Sequence, residues 1–571
     1  MDTCRIFLNP LAKRGCKALE RGRFSGKLMT VLQWRGPGIV RAMGSALALG
    51  LIGGFSPMAL AEAASTAVPS PFVQSLAAAA AASDEAMADW YRLRAYAPIW
   101  TGPEDAPRRA ALFAALATAH DHGLPPSRYD AAGLMAGLAS ARTEGDRGRL
   151  ELAMTRAYLT WAHDLTSGML NPKKIDSTIV RDIPVQDSAL LLDRIAGDDP
   201  AAVLRGLVPD TDVYVQLMKA KIGLEAQIEA GGWGPEVAAK ALGPGDSGPA
   251  VVQLRDRLVA MGYLGRSSAG SYDKPMQAAV LAFQLAHGLP ADGVAGPATI
   301  AQINKAPEDR LKSVIVAMER ERWLHIDRDT RHVWVNMPDF MAKIVVQGRT
   351  VFSTRVVIGK NVPDQRSPEF SDEMEHMVIN PSWGVPRSIT VKEYLPLLQR
   401  NPNAVGHLQV IDGRGRVVPR GAVNFAAYNA RNFPFALRQP PSDGNALGKV
   451  KFMFPNQYNI YLHDTPSKSL FKEDLRAYSH GCIRVADPFD LAHLLLSLQS
   501  DDAEAEFDAA LRSGKETTVK LAKPLPVHLV YYTAYPEAKG RIGYRRDVYG
   551  RDALLWDALS AAGVELAPEQ R

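Results

Sequence analysis

The chain has 571 residues, 47% hydrophobic and 22% charged, a balance that excludes a disordered or fibrous protein and leaves room for about three or four globular domains. Its formal charge of +5 is not evenly spread: residues 1–61 hold nine Lys or Arg against two acids, so the remainder carries a net −2. With the positive charge confined to that leader, the composition gives no support to nucleic-acid binding.

The basic leader runs into the apolar stretch Met43–Phe55 and then into Ala59-Leu60-Ala61, a small-residue cleavage sequence. A charged segment, a short apolar core and a cleavage site make an export signal over residues 1–61. The 13 residues of the core fall short of the roughly 20 that a spanning helix needs. Met29 would open a more usual leader of 33 residues. Removal of the signal takes Cys4 and Cys16 with it and leaves Cys482 alone. A lone thiol in an oxidising compartment cannot close an internal disulfide and is open to oxidation, so its presence hints at use.

Residues 62–83 are rich in Ala, Ser and Pro and read as a linker. From 84 to 238 the pattern is helical, with Met154, Tyr158, Trp161 and Leu165 at helical spacing before a stop at Ser167-Gly168. His163 and Asp164 on that helix read as surface or packing residues. Residues 239–305 form a compact unit. Its first helix presents Val251, Leu254, Leu258 and Met261, capped by Asp246 or Ser247 and closed by Gly262. A second helix turns Val280 and Phe283 inward and stops at Gly288, and a third follows a Gly-rich turn. This three-helix pattern resembles the peptidoglycan-binding-like domain of many cell-wall enzymes; a helical spacer without glycan affinity is the alternative.

Beyond 306 the period changes from helix to strand. His332–Met337 and the two arms around the Gln347-Gly348 turn, with Phe352, Val356 and Ile358 alternating, predict a β-rich domain reaching about residue 550, with a tail over 551–571. The expected fold class is multidomain, a mainly α N-terminal half followed by a β-rich α+β domain.

Reactive residues concentrate in that last domain, in Ala477-Tyr-Ser-His-Gly-Cys-Ile-Arg484. A cysteine needs a base or a cationic neighbour to act as a nucleophile. His480 lies two residues away on the same turn, and His463 ends a strand-like run, so either could serve. Gly481 permits a tight or left-handed turn in which the amides of Gly481 and Cys482 converge on a developing oxyanion. The arrangement suits acyl transfer through a thioester. One Cys and two His without a fourth ligand suit neither a structural nor a usual catalytic zinc site.

The order His463, fifteen residues, then Ser479-His480-Gly481-Cys482 and Arg484 resembles the signature of the L,D-transpeptidases, whose catalytic module is the YkuD domain. Asn445–Phe471, Val378–Pro386 and Pro526–Tyr535 look like the long, exported, multidomain branch of that family. The resemblance implies Cys482 as nucleophile and His463 as general base, oriented through the backbone carbonyl of Asp464. It implies His480 as a second histidine shaping the site and Gly481 and Cys482 as oxyanion amides. Ser479, Arg484 and Asp464 are carried over as residues that hold the loop or meet substrate. Ser367 stands where relatives often carry Thr, a change expected to matter little. The segment 389–437 resembles a flap over the site, expected to be mobile without substrate.

The implied reaction is attack by Cys482 on the third residue of a tetrapeptide stem of peptidoglycan, release of D-Ala, and transfer of the acyl group to a second stem to give a 3→3 cross-link. Neither step calls for a metal or organic cofactor. Water, a free D-amino acid or an envelope protein as acceptor is the nearest alternative, and a non-catalytic wall-binding protein a more distant one. The expected place of action is the periplasm or cell envelope, with other cell-wall synthases as possible partners.

Overall fold

A computed structural model describes residues 68–82, 85–537 and 540–566; the leader, with Cys4 and Cys16, lies outside them. The mainly helical first half and the β-rich second half follow the sequence pattern.

The helical half is built around the long helix Glu144–Ser167, on which Met154, Tyr158, Trp161 and Leu165 are all buried. Packed on it is the helix Pro71–Ala81, which corrects the linker expectation over those residues; 62–67 and 83 lie outside the described residues. An Ala-rich segment is a strong helix former, Ser70 caps it by accepting the Val73 N–H at 3.3 Å, and Phe72, Leu76 and Ala80 make a buried stripe. Gly148 permits the close approach, since a Cβ there would lie 2.5 Å from the Phe72 carbonyl oxygen. Asp164 is buried and accepts from Arg128 Nε at 2.6 Å and Tyr129 OH at 2.9 Å, a packing role.

In the three-helix unit, Pro249–Ala260, Lys274–Ala286 and Pro297–Ile303 enclose Val251, Leu254, Leu258, Val280 and Phe283. The first helix starts at Gly248 without a side-chain cap, because the Asp246 carboxylate is taken by the Gly243 N–H at 2.8 Å.

The β-rich half holds one sheet of nine strands: β1 His332–Asn336, β2 Met341–Val346, β3 Arg349–Gly359, β4 Phe370–Ile379, with, further on, β9 Val450–Met453, β10 Leu462–His463, β11 Ala477–Ser479, β12 Ile483–Val485 and β13 Thr517–Val530. The order is β11-β3-β12-β10-β9-β4-β13-β1-β2, and β2 also pairs with β3, so the sheet closes on itself. Gln347 and Gly348 both have positive φ and make the tight β2–β3 turn. Inside the ring lies a core that includes Val356, Ile358, Met377, Phe452, Leu462, Ile483 and Val485.

Between β4 and β9 the chain leaves the ring and forms a second, four-stranded sheet from β5 Trp383–Gly384, β6 Gln409–Ile411, β7 Val417–Val418 and β8 Ala436–Gln439. This is the segment expected as a flap. It carries its own core of Trp383, Leu395, Leu398, Val410, Phe425 and Leu437.

Two expected boundaries shift. Helix Pro307–Trp323 buries Leu311, Val314 and Met318 and packs on the scaffold helix Asp212–Glu229 as well as on the barrel, so it is a shared strut rather than the opening of the catalytic domain. Residues 551–571 are not merely a tail, because Arg551–Ala561 is a helix with Arg551, Leu555 and Leu559 buried.

Candidate active site

The site forms where β10 and β12 lie side by side. Their parallel register pairs Leu462 with Ile483 and His463 with Arg484. Leu462, Ile483 and Val485 face the core, so strand alternation turns Tyr461, His463, Cys482 and Arg484 to the opposite face. That face floors a cavity of about 830 Å³, which Ser479 and His480 also line and which Trp383, Arg387 and Glu393 of the flap close from the other side. A larger cavity, about 970 Å³, lies by Trp334 and Tyr535 and holds none of the expected site residues.

Between β11 and β12 the chain turns through His480-Gly481-Cys482, with Gly481 at φ +113°, a conformation that L side chains rarely adopt. The buried Ser479 hydroxyl accepts the Gly481 N–H at 3.2 Å and donates to the Cys482 carbonyl at 2.5 Å. Ser479 therefore holds the loop and does not present its hydroxyl to substrate. The same bond corrects the expected pair of oxyanion amides: Gly481 N–H is already taken, whereas Cys482 N–H has no acceptor among the described residues.

His463 is buried, and its Nδ1 lies 2.5 Å from the Asp464 carbonyl oxygen. A carbonyl only accepts, so Nδ1 carries the proton and Nε2 is left bare as a base. Burial, with the Arg484 guanidinium adding to it, pushes the imidazole down to about 3, which keeps it neutral. Cys482 is half-buried, its thiol donates to the Asn459 carbonyl at 3.5 Å, and burial pushes it up to about 11. Both groups are thus neutral in the free protein.

His480 pairs Nε2 with Glu393 Oε1 at 2.8 Å, whereas His463 is held through Nδ1. Glu393 belongs to the flap, and a second tie joins Lys392 of the flap to Asp364. The Asp464 carbonyl meets His463 as expected, but its side chain does not fit the expected substrate contact. Its carboxylate accepts the Lys449 N–H at 2.8 Å and the Thr465 N–H at 2.7 Å and pairs with Lys468, so only its backbone carbonyl serves the site. Arg484 is half-buried, lines the cavity and leaves Nε without a hydrogen bond.

Sequence reasoning missed Tyr461, Trp383 and Glu393. Tyr461 lines the same cavity as Cys482 and Trp383, and its ring lies 5.6 Å from that of His463. Tyr461 was within reach of the alternation argument, two residues before His463, and Trp383 lies within the Val378–Pro386 stretch; Glu393 carried no local signal. Among the described residues no cluster of three or more His, Cys, Asp or Glu could hold a metal ion, and no helix is long and apolar enough to cross a membrane.

With this geometry in place, comparison with known proteins is informative. Residues 330–520 match the L,D-transpeptidase catalytic domain, YkuD. Residues 85–220 match a domain described as "Scaffold domain", and residues 247–303 match the domain described as "Putative peptidoglycan binding domain". A Haemophilus influenzae protein named "Putative L,D-transpeptidase" is 32% identical over 242 residues, which cover 42% of this chain and 48% of that protein. The match thus spans about half the length of the curated relative. A crystal structure of an L,D-transpeptidase from Xylanimonas cellulosilytica aligns with 52% of this chain and 100% of that one at 16% identity, with a TM-score of 0.17, and nothing here rests on it.

Proposed function

We propose that the protein is a peptidoglycan L,D-transpeptidase of the cell envelope that forms 3→3 cross-links between stem peptides through a thioester on Cys482. The observation that carries this reading is that one cavity is lined by a thiol and by a buried imidazole whose Nδ1 proton is locked to Asp464, leaving Nε2 without a hydrogen-bond partner among the described residues.

The residues act in sequence. His463 Nε2 takes the thiol proton as Sγ attacks the carbonyl of the third stem residue. The tetrahedral oxyanion meets the Cys482 N–H. Its collapse breaks the amide bond, and the His463 imidazolium returns the proton to the departing amine of D-Ala, leaving the thioester. The side-chain amine of a second stem then loses a proton to His463 as it attacks the thioester, and the sulfur leaves and is reprotonated. Arg484, cationic and facing the cavity, is placed to meet a stem carboxylate. The flap closes the cavity over the acyl-enzyme and limits competition from water.

The test is product analysis of the mature protein with a disaccharide-tetrapeptide. A cross-linked dimer with released D-Ala supports the reading. Tripeptide alone would identify a carboxypeptidase, and no product, with no adduct from a carbapenem, would contradict an acyl-enzyme altogether.

A further inference from the structure

We infer that Ser367 is a positioning residue for the oxyanion amide of Cys482, an inference that rests on the acyl-transfer reading above and names how one of its groups is aimed. Ser367 is fully buried and lies 114 residues from the turn it touches, to whose Gly481 carbonyl its hydroxyl donates at 2.6 Å. The same oxygen accepts the Gly359 N–H at 3.0 Å. The hydroxyl proton is thereby directed to Gly481.

The consequence follows from peptide geometry. In a trans peptide the C=O and the following N–H point in opposite directions. Holding the Gly481 carbonyl toward the buried Ser367 therefore turns the Cys482 N–H away from the interior, to the side on which the thiol lines the cavity. Gly481 at φ +113° leaves this peptide few other restraints, and its own N–H is spent on Ser479.

Ser367 is itself fixed from every polar atom. Its N–H is donated to Tyr549 OH at 3.3 Å, and its carbonyl accepts Arg551 Nη2 at 2.9 Å. Tyr549 OH donates in turn to the Gly359 carbonyl at 2.7 Å. Gly359 makes room for this packing, since a Cβ there would lie 2.0 Å from the Gln365 carbonyl oxygen. Arg551 also pairs with Glu369 at 3.2 Å and with Asp176 of the helical half at 3.3 Å. The C-terminal segment and the scaffold thus brace the serine that aims the amide.

The test compares two reactions of one sulfur. Acylation by a carbapenem develops an oxyanion; alkylation by iodoacetamide, a displacement at saturated carbon, develops none. Ser367→Ala is expected to slow acylation about tenfold to hundredfold, somewhat less than outright loss of an oxyanion donor, while alkylation stays within about twofold. Ser367→Thr, which keeps the hydroxyl, is expected to restore acylation. Equal acylation by wild type and Ser367→Ala, or a parallel loss of both reactions, would overturn the inference. Should Ser367→Ala fail to fold, Tyr549→Phe removes the hydroxyl that fixes Ser367, with acylation slowed severalfold at constant alkylation expected and no difference in acylation counting against it. Wild type that is not acylated at all would overturn the acyl-transfer reading instead.

Discussion

The helical half and the barrel each bury a titratable group, and the two are used in opposite ways. In the scaffold, the fully buried Glu151 accepts the Ile99 N–H at 2.7 Å, the Thr101 N–H at 2.9 Å, the Thr101 hydroxyl at 2.8 Å and the Tyr91 hydroxyl at 3.0 Å, with the Trp100 N–H beside them. Both carboxylate oxygens are committed to the 99–101 loop and the Tyr91 hydroxyl, and burial holds the carboxyl above its ordinary range. In the barrel, His463 commits one nitrogen and keeps the other. Burial alone does not mark a site; a buried group with an unspent valence facing a cavity does.

The comparison can be broken at several points. Cys482→Ala should abolish covalent adduct formation, a loss on the order of 10⁴-fold or more in turnover, measured by product release from a tetrapeptide; appreciable residual turnover would place the nucleophile elsewhere. His463→Ala should cost roughly 10²–10⁴-fold, the usual share of a general base, with the fold intact by circular dichroism. Glu151→Ala should do the converse. Leaving several buried donors unmet costs about 1–3 kcal/mol each before relaxation, so a fall of about 3 kcal/mol in unfolding free energy is expected, with the acylation rate of the folded protein unchanged.

Two further measurements sharpen the contrast. With the thiol raised to about 11 and the imidazole lowered to about 3, both groups are neutral across the physiological range. Thiolate is then scarce below about 11 and grows as pH rises. Iodoacetamide alkylation of the free enzyme should therefore climb close to tenfold per pH unit between 7 and 10 without a plateau. A plateau already reached by pH 7 would reveal a preformed thiolate–imidazolium pair. The smallest effect is expected at Glu393→Gln. A half-exposed pair such as His480–Glu393 contributes at most about 1 kcal/mol, so the variant should show up to about fivefold faster hydrogen exchange across 389–437 and little change in acylation; full protection of that segment in the free wild-type protein would contradict a mobile flap.

Much of this was legible in the sequence wherever the signal was local. Strand alternation placed β1 to β3 and the Gln347-Gly348 turn, the residues around Cys482 singled out the thiol and both histidines as candidates, and the family resemblance implied the carbonyl of Asp464. Contacts across the fold carried no such signal. Glu393 meets His480 from 87 residues away and Arg551 meets Ser367 from 184. Ser367 itself was noticed but read as inconsequential, because its effect passes through the Gly481 peptide. Over 71–81 the linker expectation gives way to a helix for a different reason: Ala-rich composition suits a helix as well as a tether, and only the stripe of Phe72, Leu76 and Ala80 against Gly148 distinguishes them.

The most direct test of the central claim is peptide mapping of the protein trapped during turnover of a tetrapeptide stem. An acyl group on the peptide bearing Cys482, absent from Cys482→Ala and formed far more slowly in His463→Ala, is the result predicted here. An acyl group on any other residue, or stem turnover without a covalent intermediate, would contradict it.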